Sequence, residues 1–163
     1  MKYFFYFLIL VFLISCSGNN KPGDNPNLAV KASLLRSYNN KTYDIKLSIT
    51  NISDKPVSFW MMNGSWFENF IINNDYIQFL ITEGIDHNFP VKRHLNPRDS
   101  LLFKVSILKI DFTRYQTIKT TKFGFILIDS TKCSNDHEFR DCIGDKSKHK
   151  IFWSNPLYLN DRK

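Results

Sequence analysis

Tyr43-Asp44-Ile45-Lys46-Leu47-Ser48-Ile49-Thr50 sets apolar and polar residues in strict alternation. In an extended chain successive side chains point to opposite faces, so this stretch has one face for a core and one for water. It predicts a β-strand in a sheet covered on one side only. Asn51-Ile52-Ser53-Asp54-Lys55-Pro56 ends the run with Asx and Pro residues that favour a turn. Val57 to Met62 reads as the next strand.

The same period recurs outward from this pair. Ser100 to Leu108 places Leu101, Phe103, Val105 and Ile107 on one face and is entered through Asn96-Pro97-Arg98-Asp99. Lys122 to Asp129 sets Phe123, Phe125 and Leu127 opposite Gly124, Ile126 and Ile128. Asp75 to Glu83 is apolar on both sides, which predicts a central position in its sheet. A first strand near Leu28 to Arg36 and a last one near Ile151 to Leu159 complete the set, and Pro156 marks the last as an edge strand or a bulge. No long amphipathic helix and no internal repeat is evident, although Leu108 to Thr121 has spacing suited to a helical turn. About seven strands separated by turns predict an all-β fold, an antiparallel sandwich, with a small closed barrel as the alternative.

The N-terminus follows a different logic. Lys2 precedes an apolar run from Tyr3 to Ile14, which is shorter than the roughly 20 residues a membrane span requires. The run ends in Leu13-Ile14-Ser15-Cys16. This arrangement resembles the lipobox of bacterial lipoproteins, in which the cysteine is acylated and becomes the new N-terminus. The resemblance implies a signal peptide over 1–15, cleaved before Cys16, and a lipid bilayer as partner through fatty chains such as palmitate on that sulfur. One chain anchors only marginally, and the two or three chains of such lipoproteins anchor durably. Residues 16–27 are polar and rich in Gly, Pro and Asn, which predicts a flexible tether. Residues 28–160 form the expected domain. Ser17, not Asp, follows the cysteine, and no acidic tract follows it. By the sorting rule of enteric lipoproteins, these features imply the outer membrane and a periplasm-facing domain.

The chain has 163 residues, 43% of them hydrophobic and 15% aromatic. Without the leader about 140 residues remain, enough for one domain with an adequate core. The formal charge is +7, and loss of Lys2 leaves +6. Such a balance favours anionic surfaces, and export argues against nucleic acid as a partner. With Cys16 committed to lipid, Cys133 and Cys142 remain as an even pair in an oxidising compartment, which predicts a disulfide. In the chain-entropy model its short loop contributes about 2.5 kcal/mol.

A second resemblance rests on Leu47 to Val57 and on Leu95-Asn96-Pro97-Arg98-Asp99-Ser100-Leu101-Leu102-Phe103. These stretches look like immunoglobulin-like sandwich domains of bacterial exported proteins, and a bacterial proteinase-inhibitor family shows a similar order of strand, Asn-turn-Pro and strand. Arg98 stands where such domains usually place Gly.

Local catalytic motifs are absent: there is no nucleophile elbow, P-loop, metal-binding H-E-x-x-H or haem attachment site. Candidate chemistry therefore comes from scattered groups. Glu83, Asp86, His87, His94 and Asp99 offer imidazoles and carboxylates for a divalent metal or acid/base work, against a solvated loop as the plainer expectation. Cys133, His137, Cys142 and His149 offer zinc donors if the thiols stay reduced. Trp66 and Phe67, beside Asn63-Gly64-Ser65, are a candidate ligand platform for stacking on sugar rings if they stand exposed, and core residues if they do not. Lys146-Ser147-Lys148-His149-Lys150 is a basic run suited to phosphate or to a solvated hairpin tip. Together the residues predict a non-enzymatic envelope lipoprotein that binds a protein or glycan partner and needs no cofactor. The alternatives are an inhibitor of an envelope or host hydrolase and, further off, a metal-dependent enzyme using His87 and His94.

Overall fold

The computed structural model describes residues 27–38, 41–81, 88–110, 120–131, 133 and 136–159, with 136, 137 and 140 as backbone only. The strands are β1 Leu28–Tyr38, β2 Thr42–Asn51, β3 Val57–Met62, β4 Phe70–Ile72, β5 Ile77–Leu80, β6 Pro90–Leu95, β7 Ser100–Lys109, β8 Thr120–Thr121, β9 Phe123–Asp129, β10 Lys150–Trp153 and β11 Leu157–Tyr158. One α-helix, α1, spans Asp136–Gly144, and short 3-10 turns cover Trp66–Asn69 and Lys146–Lys148. The leader, the tether with Cys16, the segment around His87 and most of the stretch between Leu108 and Thr121 lie outside the described residues.

Two antiparallel sheets face each other. The first has the order β1-β2-β7-β5, and the second β10-β9-β3-β6 with β4 also paired to β9. The fold is an all-β antiparallel sandwich, as the alternating runs predict. Its path visits β5, beside β7, before β6, beside β3. Immunoglobulin order visits the corresponding positions the other way round.

Alternation becomes packing directly. Tyr43, Ile45, Leu47 and Ile49 of β2 are fully buried against Phe59, Phe123 and Phe125 of the second sheet. Each such side chain contributes roughly 1.5–3 kcal/mol by leaving water. The strand that lies centrally with both faces buried is β9, from Phe123 to Leu127 and Ile128. Strand β5 is instead the edge of the first sheet, which corrects the expectation drawn from its two apolar sides. Ile77 is buried, but Leu80 is only half-buried and Ile81 is exposed. A four-residue edge strand tolerates that wet apolar surface.

The second face of β9 is covered by α1. Phe139, Cys142 and Ile143 repeat at helical spacing, and Phe139 is fully buried against Met62, Ile126 and Ile128. Gly124 sits on this outer face. A Cβ there would meet Ile151 Cγ2 at 2.7 Å, Ile71 Cγ1 at 2.9 Å and Trp153 Cε3 at 3.1 Å. Two of these atoms belong to stiff β-branched side chains, so Gly124→Ala is expected to destabilise by about 1–3 kcal/mol, measured by denaturant unfolding.

Pro156 divides the last strand as predicted. Strand β10 pairs with β9 at the sheet edge, and β11 pairs with β8. Between them Asn155 turns its amide onto β1, donating from Nδ2 to Ala32 O at 3.0 Å and accepting from Ala32 N at 2.9 Å. This side chain satisfies both backbone groups of one residue on an otherwise open strand edge, which blunts that edge against pairing with another chain.

Candidate functional site

Strands β3 and β4 pair with the same side of β9, through Trp60↔Ile128 and Phe70↔Phe125. They are one strand path interrupted by the excursion Asn63 to Asn69. Gly64 and the Asx/Ser residues around it supply the turn chemistry. The excursion is stitched down at several points. Asn63 N donates to Phe89 O at 3.0 Å, and Arg93 donates to Asn63 Oδ1 at 3.1 Å. The buried Ser65 donates through its backbone N to Asn88 Oδ1 and accepts from Asn88 Nδ2 at 2.8 Å. Asn69, fully buried, donates to Trp60 O at 3.1 Å, while its Oδ1 has no partner among the described residues.

This anchoring turns Trp66 into the gap between the sheets. Its indole stacks on Phe103 of β7 with centroids 4.5 Å apart and meets Phe70 of β4 and Phe79 of β5 edge-on at 5.8 and 6.2 Å. Trp66 therefore bridges both sheets on the β5 side, and one of its faces is committed to Phe103. Phe67 lies outside it, 6.2 Å from Trp66 and 6.4 Å from Phe79. Both residues are half-buried. The structure thus brings the two predicted platform residues together, with Trp66 as the packed member and Phe67 as the outer one.

Cys133 and Cys142 form the disulfide predicted once Cys16 is set aside. Cys133 is fully buried beside Met62 and Phe139, and Trp60 Nε1 donates to Cys133 O at 2.6 Å. The bridge ties α1 to the stretch after β9, where Trp60 of β3 holds the Cys133 carbonyl, and so helps keep α1 against Met62, Ile126 and Ile128. His149 Nε2 donates to Cys142 O at 2.7 Å, since a carbonyl only accepts, so the imidazole carries its hydrogen there. With both sulfurs oxidised, no thiolate is left for zinc, and the His137 side chain lies outside the described residues.

The other candidates separate in space. His94 stands on the exposed edge strand β6, its Nδ1 2.8 Å from Ser58 Oγ, while His87 lies outside the described residues. Among the described residues no group of three or more His, Cys, Asp or Glu is placed to hold a metal ion. The basic run at 146–150 is a 3-10 turn leading from α1 into β10, not a hairpin tip. Lys148 pairs with Asp145 at 2.8 Å, and this contact, with the Ser147 hydroxyl, holds the Asp145 carboxyl below the usual carboxylate range.

Two features carry weight that the sequence reading did not assign. Asn51, fully buried at the end of β2, donates from Nδ2 to Lys55 O at 2.8 Å and to Leu95 O at 3.0 Å. Its Oδ1 accepts from Ser53 N and Oγ. Its backbone N and O bond to Asp99 O and Arg98 N. One residue thus joins the β2–β3 and β6–β7 turns. In the second turn Arg98 has φ of 69°, with Pro97 before it and Asp99 N donating to Asn96 O at 3.0 Å. That is the type II turn in which glycine is favoured, and arginine keeps its shape at the cost of strain. Arg98→Gly is expected to raise stability by about 0.5–1 kcal/mol, read as a higher denaturation midpoint with unchanged slope.

No family model matches the chain, and no curated protein matches it. Among solved structures, that of a FixG-related protein from Vibrio parahaemolyticus is similar over 82% of this chain and 96% of that chain, at 11% identity and a TM-score of 0.39. At that identity and score the likeness says nothing of function. Among the described residues no helix is long and apolar enough to cross a membrane.

Proposed function

We propose that this chain is an envelope lipoprotein, acylated at Cys16 after removal of residues 1–15, whose sandwich binds a protein or glycan partner and performs no catalysis. The observation that carries the reading is the order of parts. Leu13-Ile14-Ser15-Cys16 closes a leader-like run, a polar stretch follows, and the first core residue, Leu28, opens β1. The polar stretch leaves the domain free to sit beside a membrane surface while the acyl chains hold it there.

The binding surface we assign is the outer side of the aromatic cluster. Phe67 is half-buried on the β5 side of the sandwich, held against Trp66 and Phe79. A ring fixed in this way loses little freedom on contact with a sugar face or an apolar side chain. Ser17 and the absence of an acidic tract favour the outer membrane and a periplasmic orientation.

The test has two arms. Cys16→Ala is expected to move the protein from the membrane fraction to the leader-bearing or soluble fraction without acyl chains. Crosslinking of the anchored protein in intact cells is expected to capture a partner or glycan, and Phe67→Ala to abolish that capture while the fold persists. Capture that is unchanged by Phe67→Ala would place binding elsewhere.

A further inference from the structure

Among the described residues no helix covers the outer face of the first sheet. Alternation with the buried residues of β1, β2 and β7 places Lys31, Ser33, Lys46, Ser48, Leu102 and Lys104 there. The register sets Lys31 opposite Ser48, Ser33 opposite Lys46, and Lys46 directly opposite Lys104. A bulge between Leu34 and Arg36 brings Arg36 to the same face, opposite Asp44. Asp44 is the acid there, and it is already engaged, accepting from Ser106 Oγ at 2.6 Å and Tyr38 OH at 2.7 Å. Ser106 first, then Tyr38 and the Arg36 charge, hold its carboxyl below the usual range, so it stays ionised beside Arg36 and the face keeps a net positive charge through its lysines.

Two features set this face apart from an ordinary solvated one. Like charges directly across a ladder oppose folding, yet Lys46 and Lys104 stand in that relation. Leu102, next to Lys104 along β7 and diagonal to Lys46, is 64% exposed at the β7 corner of the cationic surface. Four cations on one sheet face, with an exposed apolar side chain at its β7 corner, suit a surface that offers phosphates outside and hydrocarbon just beneath. The sheet spacing gathers the four charges over about 10 Å by about 15 Å. By contrast α1, on the opposite face, carries Asp136, Glu138 and Asp141 against Arg140.

We infer that the outer face of the first sheet docks on the anionic phospholipid surface of the membrane, with Lys31, Arg36, Lys46 and Lys104 on headgroup phosphates and Leu102 at the acyl boundary. Placement within reach of that surface rests on the anchor proposed at Cys16; the charge of the face does not. A flexible chain as long as residues 17–27 would have a root-mean-square span of about 18 Å, and that stretch leads in sequence into β1, the edge strand of this same sheet.

The experiment uses the unlipidated chain from Ser17 onward, which contains every described strand and the helix, so its outcome is independent of acylation at Cys16. It is mixed with vesicles containing phosphatidylglycerol and with vesicles of phosphatidylcholine alone. Binding is expected to the first and not the second, and to fall steeply with added salt. Lys104→Glu is expected to weaken that binding at least about tenfold while its melting temperature holds or rises, because a like-charge pair becomes a complementary one. Lys122→Glu, an equal charge change beside β9, is expected to leave binding close to that of the parent. The inference is overturned by equal binding to both vesicles, by binding to neither, by equal losses in the two variants, or by capture on an acidic polysaccharide without vesicle binding.

Discussion

Replacing Trp66 with alanine is expected to lower the stability of the domain by about 3–5 kcal/mol, a large share of the roughly 5–15 kcal/mol typical of a domain this size. The indole fills the space between the sheets, stacked on Phe103 and edge-on to Phe70 and Phe79. Truncation leaves a void lined by rings from both sheets, and strands β4 and β5 are too short to collapse into it. Phe67→Ala removes an outer ring and is expected to cost about 1 kcal/mol. Denaturant unfolding of the two variants separates their roles. Were Trp66 chiefly a ligand platform, its loss would leave the unfolding midpoint near that of the parent.

Asn51→Leu is expected to be nearly as damaging, at about 3–4 kcal/mol, although leucine is similar in size and apolar. The substitution leaves Leu95 O and Ser53 N without the partners that Asn51 supplies, while Lys55 O keeps the Ser53 hydroxyl. Each abandoned buried polar group costs about 1–3 kcal/mol, less where water reaches it. Asn51→Asp keeps the acceptor toward Ser53 and turns a second oxygen on the two carbonyls, so it is expected to be no milder near neutral pH. Thermal and denaturant melts of the two variants check this, and a loss under about 1 kcal/mol in both would show that the two turns hold together without the amide.

Much of the scaffold was legible because it depends on local periodicity. Tyr43, Ile45, Leu47 and Ile49 face inward because a strand has no other way to bury alternate residues. Val57 to Met62 was set off by the Asn51–Pro56 turn for equally local reasons. Strand β6 was not legible. Its Lys92-Arg93-His94 centre masks the alternation of an edge strand, and His94 drew attention as a metal ligand. The helix α1 was missed because nine residues give a weak signal and its partners, Ile126 and Ile128, lie on a strand already apolar on both faces. The triplet Phe139, Cys142 and Ile143 after Asp136 was the available clue.

The candidate site divides in the same way. The disulfide followed from counting cysteines once Cys16 was set aside for lipid, which left Cys133 and Cys142 as a pair. That Trp66 would pack and Phe67 would remain outside depends on Phe103 and Phe79, which come from a different sheet. Such contacts are set by the meeting of distant strands and leave no trace in local order. Asn51 is the sharpest case. Its turn chemistry was visible, but its bond to Leu95 O spans 44 residues.

The central claim is a covalent one, and mass spectrometry of the N-terminal peptide from native membranes tests it most directly. The account predicts a chain that begins at Cys16 and carries fatty acyl groups on that residue. A peptide retaining residues 1–15, or one bearing a free thiol at Cys16, would contradict it.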